Sequence, residues 1–277
     1  MIEIWLITRM TLREAVRRRI LWTALVAGAL LLGVFAVAMH LQVQEFQGRA
    51  MSPFVRYQVE AGMLMIGLYT CDLLAVVLTI LTSVDTIAGE ISSGTIHAIA
   101  TKPIARWQIL TGKFLGFLAM VVAYVAVTFA ATVWVAHATT GVLPEHAGRG
   151  FALIVFECAV ALALTFMFGT WFSTLTNGVL VLGLQGVAFM GGWLEQVSGF
   201  SQSVHIVTLG VASSLLMPGE SLWRRAAYEM QTQLAGSLSF SPFANVSIPS
   251  LLAIGYAGVY FVVVLGIAIR HFQTRDL

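Results

Sequence analysis

Six stretches of about twenty apolar residues dominate the chain, at 20–41, 62–84, 107–136, 151–172, 178–197 and 251–269. In hydrocarbon every backbone N–H and C=O must find its partner within the protein, which leaves such a run little choice but a spanning α-helix. About 20 residues, each rising ~1.5 Å, cross the ~30 Å hydrocarbon core of a bilayer. Composition agrees: 58% of residues are hydrophobic, 10% are charged and mean hydropathy is +0.88, against about 25% charged in soluble domains. The expected fold is an all-α membrane protein with six transmembrane helices. No polar block of domain size interrupts the pattern, so residues 1–277 are expected to form one transmembrane domain. The third run is over-long, so its first turns project beyond the bilayer or the helix tilts. Cys71 and Cys158 both fall inside predicted spans and imply no disulfide framework.

Arg17-Arg18-Arg19, the apolar run after them and Ala36-Val37-Ala38 have the outline of a signal peptide. The run exceeds the usual apolar core of about 7–15 residues, so a first transmembrane helix is the better assignment. Orientation follows from Lys and Arg in the flanks. With the N-terminus in the cytoplasm, ten basic residues lie inside: Arg9, Arg13, Arg17, Arg18, Arg19, Lys102, Arg106, Lys113, Arg270 and Arg275. Five lie outside: Arg49, Arg56, Arg149, Arg224 and Arg225. That bias places both termini in the cytoplasm and residues 199–249 on the far side.

Residues 204–217 are apolar but too short to span, and Pro218 stops them, so a re-entrant or interfacial segment is expected. Residues 220–234 follow as an amphipathic helix, with Leu222, Ala226, Met230 and Leu234 on one stripe and Arg224, Arg225, Glu229 and Gln233 off it. Glu220 precedes Arg224 by four residues, a favourable helical pair. Such a helix either lies on the outer membrane surface or packs on the protein itself. Residues 2–19 are expected to form an interfacial helix. Ile2, Trp5, Leu12 and Val16 make its apolar stripe, and Arg9, Arg13 and Arg17 align for an anionic leaflet.

The chain has no G-x-x-x-x-G-K-[ST] phosphate cradle, no H-E-x-x-H, no G-x-S-x-G and no C-x-x-C. No two of its six histidines stand at a helical i, i+4 spacing. Met63 and Met65 beside Cys71 suggest a soft-metal path only weakly, since methionine is ordinary in apolar helices. Neither a catalytic residue nor a metal site is expected. Ionisable groups within a bilayer are costly and so are candidates for function. Asp72 falls near the middle of the second span, Glu157 in the outer part of the fourth and Asp85 at the cytoplasmic end of the second. Asp72 and Glu157, with Gln185, line a translocation route or a helix seam. The alternative is that each carboxyl is neutral or bonded to a neighbour such as Tyr69, Thr70 or Gln185.

Between the second and third runs lies a polar stretch punctuated by Gly and Pro, at 88–106, leading into Gly112-Lys113. It concentrates scarce charge (Glu90, Lys102, Arg106, Lys113) on one membrane face. A short helix at 96–100 is expected, beginning at Gly94-Thr95 and ended by Pro103, which disfavours helix in the residue before it. A short exposed helix with stiff ends suits docking of a soluble partner. Glu90, Gly94-Thr95, Pro103, Arg106 and Gly112-Lys113 together resemble the coupling-helix signature of the type-two, six-helix ABC exporter permeases. Arg13-Glu14-Ala15-Val16-Arg17-Arg18-Arg19 resembles their interfacial elbow helix, and the stretch from Leu215 to Arg224 resembles the segment such permeases carry before their last span. The uncharged loop at 173–177 departs from the family, whose members often carry basic residues there.

The resemblance implies a permease subunit that performs no covalent chemistry and binds no cofactor. Two copies of a separate cytoplasmic ABC ATPase would bind ATP and Mg, docking on Glu90, Gly94, Thr95, His97, Pro103 and Arg106. A second permease copy would complete a homodimer or similar heterodimer in a prokaryotic inner membrane. Lipids are the other expected partners, and nucleic acid is not one. The competing classes are a channel or scaffold without ATP coupling, and an intramembrane enzyme. The latter needs a nucleophile–base pair or metal triad within the spans, and the sequence offers none.

Overall fold

The computed structural model describes residues 2–17, 19–47, 52–92, 105–201, 204–231 and 248–275. In chain order its helices are α1 Ile2–Arg17, α2 Arg19–Gln47, α3 Pro53–Ser92, α4 Arg106–Thr140, α5 Ala147–Gly169, α6 Thr174–Ser201, α7 Val204–Leu216, α8 Gly219–Met230 and α9 Leu251–Thr274. Six of them, α2 to α6 and α9, are long and apolar enough to cross a membrane, one for each predicted run. No strand occurs among the described residues.

Burial sorts the spans into two groups. Of the most apolar window of α5, 67% is buried, against 11% for α2 and 17% for α9. Small residues let α5 be enclosed: Ala159, Ala161 and Ala163 alternate with Val160, Leu162 and Leu164, and all are buried. A helix apolar on every side belongs in the middle of a bundle. Around it α3 and α4 complete the core, where Phe114 and Phe117 meet Phe166 edge-on at 5.8 and 6.3 Å. Helices α2, α6 and α9 lie outside and expose apolar faces.

α3 has 40 residues, about 60 Å at 1.5 Å each and twice the hydrocarbon thickness. Its ends are polar, with an Arg56–Glu60 ion pair of 2.8 Å near the start and Asp85 and Glu90 near the end. The 35 residues of α4 likewise exceed a span, as the over-long third run predicts. It ends at Gly141, whose φ of 77° needs glycine and whose N–H bonds His137 O at 2.9 Å.

α1 packs across the start of α4. Cβ atoms added at Gly112 and Gly116 would fall 2.8 Å from Ile7 and Thr11 side chains, so a small-x-x-x-small face admits the two backbones. Thr8 Oγ1 donates to both Ile4 O (2.8 Å) and Gly112 O (3.1 Å). Among the described side chains of α1 the buried ones are Thr11 and Ala15, whereas Trp5 and Val16 of the predicted stripe are exposed. The sequence pattern marks an apolar face but misses the small-residue face that docks.

The segment after α6 is a helical hairpin. α7 turns back antiparallel along α6, with Gly210 against Gly191 and Glu195. Its last carbonyls, Leu215 O and Leu216 O, accept from Tyr256 Oη (2.5 Å) and Tyr260 Oη (3.0 Å) of α9. Those tyrosines answer the unpaired carbonyls that end any helix, here at a tip drawn into the bundle. Tyr260 lies nine residues into α9, about 14 Å from its start at 1.5 Å per residue. The tip therefore lies beside the first turns of α9 rather than beyond its start.

α8 then rises against α5 and α6. Of the two placements predicted for it, packing on the protein is the one observed: Leu222, Trp223, Ala226, Ala227 and Met230 are all buried. Glu220, Ser221 and Arg224 are buried as well, which a surface helix would not permit. The helix ends at Met230 rather than 234, where Met230 O accepts from Glu145 N–H at 3.2 Å. Glu229 is held there by Arg149 (3.2 Å) and Arg225 (2.5 Å). Burial pushes its carboxyl pKa up, but hydrogen bonds and charge from the two arginines outweigh this and hold it below the ordinary range.

Candidate functional site

Two constellations stand out, one at the α3–α4 end of the bundle and one in its interior. Residues 93–104 connect α3 to α4, so the expected coupling positions Gly94, Thr95, His97 and Pro103 lie outside the described residues. Their flanks are described. Glu90 Oε1, near the end of α3, forms an ion pair with Lys113 Nζ, two turns into α4. Their side chains are 20% and 8% exposed. The pair braces the two helices that deliver and receive the connecting segment. Gly112 beside it brings α1 onto the same corner.

Arg106 opens α4 and turns inward. Its Nη1 donates to Arg275 O (2.7 Å) and Gln273 O (3.4 Å), the carbonyls that end α9. A cation there also suits the negative end of the helix dipole. Arg275 in turn donates to Thr170 O in the α5–α6 turn, and His271 Nδ1 lies 3.2 Å from Thr170 Oγ1. The helix α5 ends at Gly169, three residues before the predicted limit, to make this turn. Asp85 accepts from Thr174 Oγ1 at 3.1 Å on the same end of the molecule. Arg9, Arg13 and Arg17 line the exposed side of α1.

In the interior the structure gathers the intramembrane polar residues picked from the sequence. Asp72 of α3 and Glu157 of α5 are 4% and 1% exposed and lie within electrostatic reach of each other. Gln185 Nε2 of α6 donates to Glu157 Oε1 at 3.1 Å. A third carboxyl, Glu220 of α8, acts on both acids. Sequence reasoning missed it, because its i, i+4 relation to Arg224 reads as a surface pair. Arg224 Nη2 instead donates to Glu195 Oε2 of α6, at 2.6 Å. The available signal was Gly219 before it, where an added Cβ would lie 3.0 Å from both Glu157 Oε1 and Gln185 Oε1. Gly192 is the matching gap on α6, since a Cβ there would fall 2.3 Å from Glu220 Cγ.

Aromatic rings adjoin the carboxyls. Tyr69 and Trp223 lie 5.0 Å apart between centroids, Tyr69 and Phe189 6.4 Å, and Phe189 and Trp193 6.2 Å. The Trp193 indole lies close to the Tyr69 hydroxyl. Elsewhere, a largely apolar cavity of about 190 Å³ between α2, α3 and α4 is lined by Met63 and Cys71 among others. Cys71 Sγ is 3.0 Å from Thr132 Oγ1, and no group of three His, Cys, Asp or Glu suited to a metal ion occurs among the described residues.

No curated protein sequence matches the chain. The model of the ABC-2 family of transporter proteins matches residues 5–277. The match runs from α1 through the braced α3–α4 corner and the α7–α8 hairpin to the last span. By that match and its six apolar helices, the chain is a multi-pass membrane permease of the ABC-2 transporter family.

Proposed function

We propose that the chain is the transmembrane subunit of an ATP-driven exporter, worked by a separate cytoplasmic ATPase. Two ATPase copies, holding ATP and Mg, dock on the segment between α3 and α4, and a second permease copy completes the channel. Both termini lie in the cytoplasm, following the bias of basic residues. The observation that carries this proposal is the Glu90–Lys113 brace. A docked subunit moves helices only through a stiff contact, and the brace joins the two helices on which the docking segment is strung. Arg106 extends the stiffness to the end of α9 and, through Arg275, to the α5–α6 turn. A push on the segment is thereby shared among α3, α4, α5 and α9.

The test is cysteine crosslinking in native membranes. Thr95→Cys or His97→Cys is expected to bond to a soluble Walker-motif subunit, and Gly94→Cys is expected to resist external labelling in intact cells. Purified alone, the chain is expected not to hydrolyse ATP. A chain that copurifies with no ATPase and cannot be crosslinked at 95 or 97 would instead be a channel or scaffold.

A further inference from the structure

The interior carboxyls and rings come from four helices in a repeated arrangement. On α3, Tyr69 and Asp72 are three residues apart and share a face. On α8, Glu220 and Trp223 do the same. On α6, Gln185, Phe189 and Trp193 follow at intervals of four, and α5 adds Glu157. Each of two helices thus supplies one carboxyl and one ring to a common place, and a third supplies two rings and an amide.

The charge balance is lopsided. Among the described residues the only basic side chain acting on the three carboxyls is Arg224, which acts on Glu220. That guanidinium is already bonded to Glu195. Asp72 Oδ1 and Glu157 Oε2 are buried and have no hydrogen-bond partner. Asp72 as a whole is 4% exposed and within electrostatic reach of the other two acids, and Glu157, 1% exposed, sets Oε1 beside Gly219 at the start of α8. Buried acceptors left unpaired are costly, so their persistence points to a donor or cation that meets them in some state of the cycle.

Aromatic faces and carboxylates attract one kind of ligand in common, an organic cation. The acids do not make up a group suited to a metal ion, and four rings suit a bulky apolar cation better than a bare one. Exposure across the group is uneven. Asp72, Glu157 and Trp223 are buried, whereas Trp193 is 39% exposed and Gln185 and Phe189 are half-buried. The exposed members of the group all belong to α6, one of the outer helices.

We infer that Asp72, Glu157 and Glu220, with Tyr69, Phe189, Trp193 and Trp223, form a binding site for an amphiphilic organic cation that enters along α6. The positive centre sits among the carboxyls and the apolar body against the rings. Gly192 and Gly219 keep α8 close to α6 and α5, so entry requires α8 to withdraw from them. As the substrate site of the exporter this rests on the permease proposal; as a binding site it does not.

The experiment uses the full-length permease in lipid nanodiscs, without any ATPase, and radiolabelled tetraphenylphosphonium as probe. Saturable binding is expected, with displacement by benzyltriethylammonium but not by the near-isosteric anion tetraphenylborate. Asp72→Asn and Glu220→Gln, checked for monodisperse elution and unchanged melting, are each expected to weaken binding about tenfold, and Trp223→Leu by a few-fold. Equal competition by tetraphenylborate in the unaltered protein would overturn the inference, with no variant needed. So would wild-type affinity in Asp72→Asn and Glu220→Gln, which would leave the acids merely sharing protons. If an ATPase copurifies and the probe does not bind, this inference fails and the permease proposal stands. If the probe binds and no ATPase is ever found, the reverse holds.

Discussion

Lys113→Met removes one half of an ion pair whose side chains are 8% and 20% exposed. The carboxylate of Glu90 then remains largely out of water without that cation. Deleting one partner of a fully buried pair costs about 3–5 kcal/mol. The one-fifth exposure of Glu90 lets water recover part of this, so about 2–3 kcal/mol is expected here. The double variant Glu90→Gln/Lys113→Met leaves no buried charge, and its cost should be within about 1 kcal/mol of the unaltered protein. The four proteins make a double-mutant cycle, measurable by steric-trap unfolding in bicelles. A coupling energy of about 2 kcal/mol is expected, with the single Lys113 variant less stable than the double. The same loosening should lower ATPase retention on a pull-down while leaving membrane insertion intact. Additive single effects, each below about 0.5 kcal/mol, would show that the pair is a screened surface contact and would remove the basis for the stiff corner.

Three further outcomes follow from particular contacts. Gly116→Val would put Cβ 2.8 Å from Thr11 Cβ and 3.0 Å from Thr8 O; a cost of about 1–3 kcal/mol is expected, and faster tryptic cleavage at Arg9 and Arg13 should report the release of α1. Tyr260→Phe takes the donor from Leu216 O at the hairpin tip, at about 0.5–1.5 kcal/mol, and hydrogen exchange in α7 should rise while that in α4 does not. The Glu229 clamp should be acid-sensitive: its carboxyl is held below the ordinary value of 4.5 in the folded protein. Its contribution is therefore complete above that value and lost as pH falls through the lowered one. Melting curves from pH 7 down to about 3 should show a smaller loss in Glu229→Gln than in the unaltered protein, and parallel losses would dismiss the clamp.

The six spans were legible in the residues alone because a bilayer makes one local property, about twenty consecutive apolar residues, nearly decisive. The ends of the coupling signature were legible too, though not what they do: Glu90 and Lys113 are 23 positions apart, and only the antiparallel return of α4 along α3 joins them. The interior site was half visible. Asp72, Glu157 and Gln185 stand out because polarity within a span is expensive. Glu220 does not, since it lies on a short helix whose pattern fits a surface as well as a core. Periodicity tells which face of a helix is buried, but not what buries it. Tertiary packing decided that question for α8, by spending Arg224 on Glu195 rather than on its helical neighbour and by fitting Gly219 against Glu157. It also chose the docking face of α1, where Gly112 and Gly116 admit Ile7 and Thr11 and leave Trp5 outside. In each case the deciding partner lies on another helix, and no local property of the sequence names it.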